Sequence, residues 1–227
     1  IRSNNLESLN LLNIKNDDIH KSLPISEVSI ANIRSKLKNI GITNFIIFHP
    51  SAQYKYKIYP LHLRNELLMK LNTLSIPIII TGSKNNIDTE IKKLLPSLIN
   101  VHDFIGDTSL EEYFALSQLS SAYIGMDTLN MHIAASQNKR IFAIFGPTNL
   151  SMWAPWSNYS KTSARIDKPV QTYDNVTVFQ ADLPCVACGM AGCGDDHGKS
   201  DCLDNIKPST IFEKIEKWHQ GLDIETH

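Results

Sequence analysis

The strongest constraint on the fold is a regular alternation of short apolar runs and helical segments between residues 44 and 146. Five runs rich in β-branched and aromatic residues are predicted as strands: NFIIFH (44–49), IPIIITG (76–82), NVHDFIG (100–106), AYIG (122–125) and RIFAIFG (140–146). Each run is largely apolar throughout, which is typical of parallel strands covered on both faces. The pattern therefore predicts an α/β fold with a doubly wound parallel sheet.

The segments before and between these strands have apolar residues at helical spacing. They predict helices over residues 27–39, 60–74, 87–95, 109–122 and 128–139. Ser109 followed by Glu112 is a capping-box pattern, which indicates where the fourth helix begins. Asp127 is placed to be the N-cap of the fifth helix.

The rest of the chain divides around this core. Residues 1–43 are predicted as an interdomain linker and a first helix, and residues 44–156 as a Rossmann-like domain. Residues 157–207, rich in Pro, Gly, Cys and Asp, are predicted to be an irregular insertion, and residues 208–227 to form a C-terminal helix. Because the chain begins with Ile1 instead of Met, we expect it to be a fragment or a processed product.

Composition excludes several classes of function. The formal net charge of the 227 residues is -1, which gives no broad basic surface for nucleic acid or an anionic membrane. The sequence shows no apolar stretch of membrane-spanning length and no signal peptide. We therefore expect a cytoplasmic protein without a nucleic-acid partner.

Polar segments follow four of the predicted strands. They read HPSAQYKYK, TGSKNN, GDTS and GMDTLNMH. Because ligands of open α/β sheets bind outside the carboxyl ends of the strands, these segments should converge on one crevice. The sequence has no Walker loop and no GxGxxG after a strand, which argues against P-loop and dinucleotide sites.

The residue types in these segments suit a sugar diphosphate. The helix from Thr128 offers free backbone N–H groups to a phosphate, and Lys57 supplies a mobile positive charge. Asp127 could accept hydrogen bonds from sugar hydroxyls, or act only as a helix cap. His132 could bind ligand or pack in the core, and Lys55 could take the part of Lys57.

Taken in order, these motifs resemble the carboxyl-terminal half of glycosyltransferase family nine, the ADP-heptose:lipopolysaccharide heptosyltransferases. The resemblance covers residues 44–156 and rests on FHPSAQYKYKIYP, IIITGS, FIGDTSLEEYFAL, GMDTLNMHIAA and IFAIFGPTNLSMWAPW. It implies the Rossmann-like donor half of a GT-B fold that transfers a sugar, with inversion, from a nucleotide sugar, with ADP-heptose favoured. The implied acceptor is a lipid-linked glycan at the inner membrane, bound by the absent half.

The resemblance also implies roles for individual residues. Lys57 would bind the diphosphate and stabilise the leaving group, whereas the general base would lie in the absent amino-terminal half. A base outside this chain implies that the fragment alone does not catalyse transfer. The other implied donor-binding residues are Ser51, Ala52, Gly82, Ser83, Thr108, Ser109, Asp127, Thr128, Asn130 and His132.

Three departures from the family pattern concern the donor site. Leu129 stands where the family's DTGxxH motif has glycine, and the amide of Asn130 is expected to compensate. Lys84 stands near the place where some members have an acid for the ribose hydroxyls, which puts ADP as the nucleotide in question. Tyr59 replaces a tryptophan.

The four cysteines form a separate cluster in sequence. Cys185, Cys188, Cys193 and Cys202 lie within eighteen residues, a spacing that predicts a closed, structural zinc or iron site. Asp195 and His197 are weaker alternative ligands, and two disulfides or free thiols are the alternative states. No catalytic metal is expected.

Two other functions remain open at this stage. The chain could be a metal-binding interaction module on a non-catalytic α/β domain, which predicts metal binding without nucleotide binding. It could also be a GT-B enzyme that uses a different nucleotide sugar.

Overall fold

The computed structural model describes residues 25–221, so the predicted linker over residues 1–24 lies outside the described residues. One seven-stranded sheet organises the chain, in the order β3-β2-β1-β4-β5-β7-β6. Its strands are β1 (Ile46–His49), β2 (Ile78–Gly82), β3 (Val101–Ile105), β4 (Ala122–Met126), β5 (Arg140–Ile144), β6 (Val170–Tyr173) and β7 (Val176–Phe179). All neighbours pair in parallel except β6 and β7. The predicted doubly wound sheet and its five strands are confirmed.

Helices cover both faces of this sheet. They are α1 (Glu27–Asn39), α2 (Leu61–Leu71), α3 (Asn86–Lys93), α4 (Leu110–Leu119), α5 (Leu129–Ser136), α6 (Leu150–Trp153), α7 (Asp201–Asp204) and α8 (Pro208–His219). Each predicted helix is present, several with shorter bounds. The capping box is also confirmed, because Ser109 Oγ accepts from the Glu112 amide and the Glu112 carboxylate accepts from the Ser109 amide.

The prediction that residues 157–207 are irregular is wrong for residues 170–179. VQTYDNVTVF forms the β6–β7 hairpin, and β7 pairs with β5 in the main sheet. Asp174 has a φ of 44° in the two-residue connection, as tight hairpin turns require. The alternation of apolar and polar residues in β6 belongs to an edge strand, and it differs from the apolar runs by which the other strands were recognised.

Two apolar cores lie on opposite faces of the sheet, because successive strand residues point to opposite sides. Ile46 and Phe48 pack with α2 and α8 on one face, and Phe45 and Ile47 pack with α1 and α4 on the other. Each of these side chains is fully buried and contributes about 1.5–3 kcal/mol through the hydrophobic effect. The strands are thereby fixed, and their carboxyl ends are held at one edge.

None of the helices within residues 25–221 combines the length and the apolar character that crossing a bilayer requires.

Candidate functional site

A cavity of about 430 Å³ opens at the carboxyl edge of the sheet. Ten of the donor-binding residues predicted from sequence line it: Ser51, Ala52, Lys57, Gly82, Ser83, Thr108, Ser109, Asp127, Thr128 and Asn130. They come from the ends of β1, β2, β3 and β4, as the convergence of the four polar segments requires. We call this space the first cavity.

A second cavity of about 550 Å³ adjoins the first. Six residues line both cavities: Gln53, Tyr54, Lys57, Asp127, Thr128 and Leu129. His132 lines only the second cavity. The remaining wall is largely apolar and includes Tyr56, Trp153 and Met190. Two connected spaces, with a charged pair at their junction, can hold the two ends of one elongated ligand.

The charged pair at the junction is Lys57 and Asp127. Lys57 Nζ lies 2.9 Å from Asp127 Oδ2, and the Lys57 ammonium lies 5.7 Å from the centre of the Trp153 ring. The side chain of Asp127 is 5% exposed and that of Lys57 is 21% exposed. A part-buried carboxylate thus holds a lysine at the point where the cavities meet.

The prediction that Asp127 caps α5 is wrong. Thr128, with extended backbone, is the N-cap, and the structure gives its side chain no capping hydrogen bond. The Asp127 carboxylate pairs with Lys57 instead, because the helix begins one residue later than predicted. The first amides of α5 are therefore left without a side-chain cap at the cavity junction.

Asp88 supplies an acid that the sequence reading missed. It is 3% exposed and lines the first cavity. Its Oδ2 accepts hydrogen bonds from the Ser83 amide and hydroxyl and from Asn85, whereas Oδ1 has no partner among residues 25–221. Its position in the first turn of a helix after a strand end was the available signal.

Lys84 was the residue whose position called ADP as the nucleotide into question. It lies outside the described lining of both cavities. It is exposed, and its stem lies over Gly106, where an added Cβ would meet Lys84 Cγ at 3.1 Å. Asp88, four residues later, is an acid that does line the first cavity.

His49 forms part of the buried floor of the first cavity. Its Nδ1 lies 3.0 Å from Thr81 Oγ1 and 3.0 Å from Asn130 Nδ2. Burial lowers the pKa of His49 to about 4, with a partial offset from the charge of Asp88, so the ring is neutral at neutral pH. Asn130 is thus engaged with His49, which differs from its expected role of compensating for Leu129.

Gly125, opposite His49 on β4, permits a close approach of two strands. A Cβ at this position would lie 2.5 Å from the His49 carbonyl oxygen and 2.7 Å from Tyr123 Oη. The Tyr123 hydroxyl donates to the Met126 carbonyl across this gap. The glycine therefore lets the Tyr123 side chain lie against the strand just before the site.

The cysteine segment lies beside the second cavity. Gly189 and Met190 line that cavity, and the Gly189 amide donates to the Pro147 carbonyl. Cys185, Cys188, Cys193 and Cys202 are free thiols in the described structure. Within residues 25–221, no three His, Cys, Asp or Glu side chains surround a common point as metal ligands do.

Comparison with known proteins decides the family. A model described as glycosyltransferase family 9 (heptosyltransferase) matches residues 5–180. The chain belongs to this family. The resemblance inferred from the strand-end motifs is therefore confirmed.

Individual relatives agree with this membership. The chain is 26% identical to a lipooligosaccharide heptosyltransferase 2 of Campylobacter jejuni over 119 residues, which are 52% of the chain and 32% of that protein. Its fold matches E. coli ADP-heptose lipopolysaccharide heptosyltransferase II with a TM-score of 0.61 at 18% identity, covering 88% of the chain and 54% of that protein. An E. coli heptosyltransferase with ADP gives a TM-score of 0.58 at 15% identity, covering 83% of the chain and 48% of that protein.

The chain spans about half the length of these solved structures and a third of the curated relative. The matched half has the predicted α/β sheet with flanking helices.

Proposed function

We propose that this chain is the donor-binding half of an inverting heptosyltransferase and binds a nucleoside-diphosphate sugar, with ADP-heptose favoured. The observation that carries the proposal is the pair of adjoining cavities joined at Lys57 and Asp127. Family membership and the ADP and ADP-heptose named for solved members of this fold support the choice of ligand.

The first cavity suits the nucleoside. The free Oδ1 of Asp88 can accept hydrogen bonds from ribose hydroxyls, and its other oxygen is fixed by Ser83 and Asn85. A carboxylate oxygen that is held in place without a hydrogen-bond donor favours a ligand that supplies one, because leaving the oxygen unpaired costs free energy. We therefore assign the ribose to Asp88 and no role in the nucleotide site to the exposed Lys84.

The junction suits the diphosphate. Lys57 Nζ and the uncapped amides at the start of α5 are donors at the same place. During transfer, negative charge grows on the departing diphosphate, and these fixed donors stabilise that charge. Lys57 therefore acts on the leaving group.

The second cavity suits the transferred sugar. Asp127 and His132 offer polar groups to hydroxyls, whereas Tyr56 and Trp153 offer apolar faces to the ring. Burial lowers the pKa of His132, with the charge of Asp127 opposing this shift, so the imidazole is held toward its neutral form. A neutral imidazole can both donate to and accept from sugar hydroxyls.

The acceptor and the general base belong to the part of the relatives that this chain does not span. We propose a lipid-linked glycan of a bacterial surface polysaccharide as the acceptor, and a cytoplasmic enzyme peripheral to the inner membrane. The chain alone is expected to bind donor without transferring the sugar, because no base on the acceptor side is supplied. Transferase turnover by this chain would contradict that assignment.

Saturation-transfer difference NMR with ADP-heptose tests the donor proposal. We expect saturation of the adenine, ribose and heptose protons, because both cavities are occupied by one ligand. ADP should show the same adenine and ribose signals and should displace ADP-heptose. Absence of transfer to the heptose protons while the adenosine protons respond would refute the assignment of the second cavity.

We also propose that the four cysteines hold a structural zinc or iron ion. Cysteine thiolates are suitable ligands for either metal. Cys193 and Cys188 lie close enough to Cys202 to add to the effect of burial in raising its pKa, so the three side chains are neighbours. Since no three ligands converge in the described structure, metal binding would draw the segment together.

Elemental analysis of protein purified without chelator tests the metal proposal. We expect about one equivalent of zinc or iron, lost in Cys188→Ser and retained in His197→Ala. Metal-free protein with reactive thiols or with disulfides would rule the site out.

A further inference from the structure

Tyr113 carries a buried hydroxyl for which the protein provides no partner. The residue lies on α4, is 4% exposed and lines the first cavity. Its Oη is buried and makes no hydrogen bond within residues 25–221. Its ring lies edge-on to that of His49, with the centroids 6.5 Å apart.

The other strongly buried tyrosines behave differently. The hydroxyl of Tyr59 donates to the Ile206 carbonyl, and that of Tyr123 donates to the Met126 carbonyl. The part-buried Tyr173 donates to the Pro155 carbonyl at 2.6 Å. Buried polar groups are nearly always paired in folded proteins, so an unpaired hydroxyl beside a ligand cavity indicates a partner on the ligand.

The state of this hydroxyl allows it to serve such a partner. Burial raises the pKa of Tyr113 well above its usual range, so the phenol is neutral. A neutral phenol donates one hydrogen bond and can accept another, which matches the mixed edge of a nucleobase.

The position of α4 indicates which part of the ligand is reached. Thr108, Ser109 and Leu110, at the start of α4, line the same cavity, and Leu110 is a 58% exposed apolar side chain. In the sheet order β3-β2-β1-β4, the strand leading into α4 is separated by two strands from the strand leading to Asp127. The start of α4 therefore follows the strand that lies farthest from β4 among these four, and Tyr113 lies one turn along the same helix.

We propose that Tyr113 is a specificity residue whose hydroxyl hydrogen-bonds the nucleobase of the donor. The inference deepens the proposed function and rests on it. Asp88 would then recognise the ribose, Lys57 the diphosphate and Tyr113 the base, so that each part of the nucleotide meets a different strand end.

Tyr113→Phe tests this assignment, because it removes the hydroxyl and keeps the ring. We expect the affinity for ADP, measured by calorimetry, to fall about tenfold, the size of one buried hydrogen bond. The affinity for ribose 5-phosphate, measured by competition, should stay unchanged. The ligand-free variant should unfold at the same or a higher temperature than the wild type, because an unpaired buried hydroxyl has been removed.

Tyr173→Phe is the matched control. It deletes a hydroxyl that is already paired with Pro155, away from both cavities. It should lower thermal stability and leave ADP affinity unchanged, the opposite of what is expected at Tyr113.

Unchanged ADP affinity in Tyr113→Phe would overturn the inference, and so would an equal loss for ADP and ribose 5-phosphate, which would place the contact off the base. Failure of the proposed function would give a different result. In that case the wild-type protein itself would bind none of ADP, UDP, GDP and CMP, and both proposals would fall together.

Discussion

Lys57→Met is expected to weaken ADP binding about 30-fold while reducing AMP binding much less. The lysine stands at the junction of the two cavities, where the second phosphate of a diphosphate would lie. Removing a charge-assisted hydrogen bond to a phosphate has an effect of this size. Calorimetric titration of both nucleotides into the wild type and the variant measures the difference.

Lys55→Met is the control for this experiment. Lys55 lies in the same short 3-10 turn as Lys57, is exposed, and lies outside the described lining of both cavities. It carries the same charge and should lose less than twofold in ADP affinity. Equal losses in the two variants would show that the turn contributes general charge only, and would contradict the role given to Lys57.

Lys57→Met also breaks the ion pair and leaves Asp127 as an uncompensated, nearly buried carboxylate. Part of the lost affinity could then arise from repulsion between Asp127 and the diphosphate. The double variant Lys57→Met/Asp127→Asn separates the two effects. If direct contact with Lys57 dominates, the double variant should remain at least tenfold weaker than Asp127→Asn alone.

Gly125→Ala is expected to lower the free energy of unfolding by about 3 kcal/mol. The added methyl group would lie 2.5 Å from the His49 carbonyl oxygen, a backbone atom that is fixed by the β1–β4 pairing. It would also lie 2.7 Å from Tyr123 Oη. Urea denaturation of the purified variant measures the change in stability.

Gly82→Ala gives the comparison for that prediction. The atoms nearest to its Cβ would be side-chain atoms of Asp88 and Ile105, at 3.1–3.2 Å, which is a looser fit than the 2.5 Å approach to backbone at Gly125. We expect a loss of about 1 kcal/mol. A Gly125→Ala variant as stable as Gly82→Ala would show that β1 and β4 can separate without difficulty, against the close packing described here.

The main sheet could be predicted from sequence because its central strands are apolar throughout. Ile46, Ile79 and Phe142 are fully buried, and continuous runs of such residues have few other stable arrangements. The β6–β7 hairpin could not be recognised by that rule. β6 forms the edge of the sheet, so it is only part-buried and polar residues are mixed with its apolar ones. The turn at Asp174 and Asn175 was the readable signal.

The sequence predicted which strand ends form the cavity lining, but it identified only some of the side chains that line it. Lys57 and Asp127 both line the cavities, but their pairing depends on two segments seventy residues apart. Sequence spacing gives no information on such a contact. His49 and Tyr113 were missed for the same reason, since neither position within its strand or helix predicts a cavity residue. Asp88 was missed although its place in the first turn of α3, after a strand end, was a readable signal.

The two predicted helix caps show what a local sequence pattern can and cannot predict. The Ser109 capping box was predicted correctly, because both partners lie within four residues and the pattern is local. The Asp127 cap was predicted wrongly, because the helix begins one residue later, with Thr128 as its N-cap, and the Asp127 carboxylate pairs with Lys57 from the 3-10 turn after β1. The capping box persists although Lys36 Nζ also lies 3.2 Å from Glu112 Oε2, so a charged group from elsewhere in the fold does not by itself displace a local cap.

The most direct test of the central claim is a calorimetric titration of the purified chain with ADP, UDP, GDP, CMP and AMP. We expect ADP to bind at one site, more tightly than AMP and more tightly than the other nucleotides. Failure of every nucleotide to bind would contradict the claim that this half of the enzyme holds the donor. Preference for a different nucleoside diphosphate would keep the site and contradict the choice of ADP.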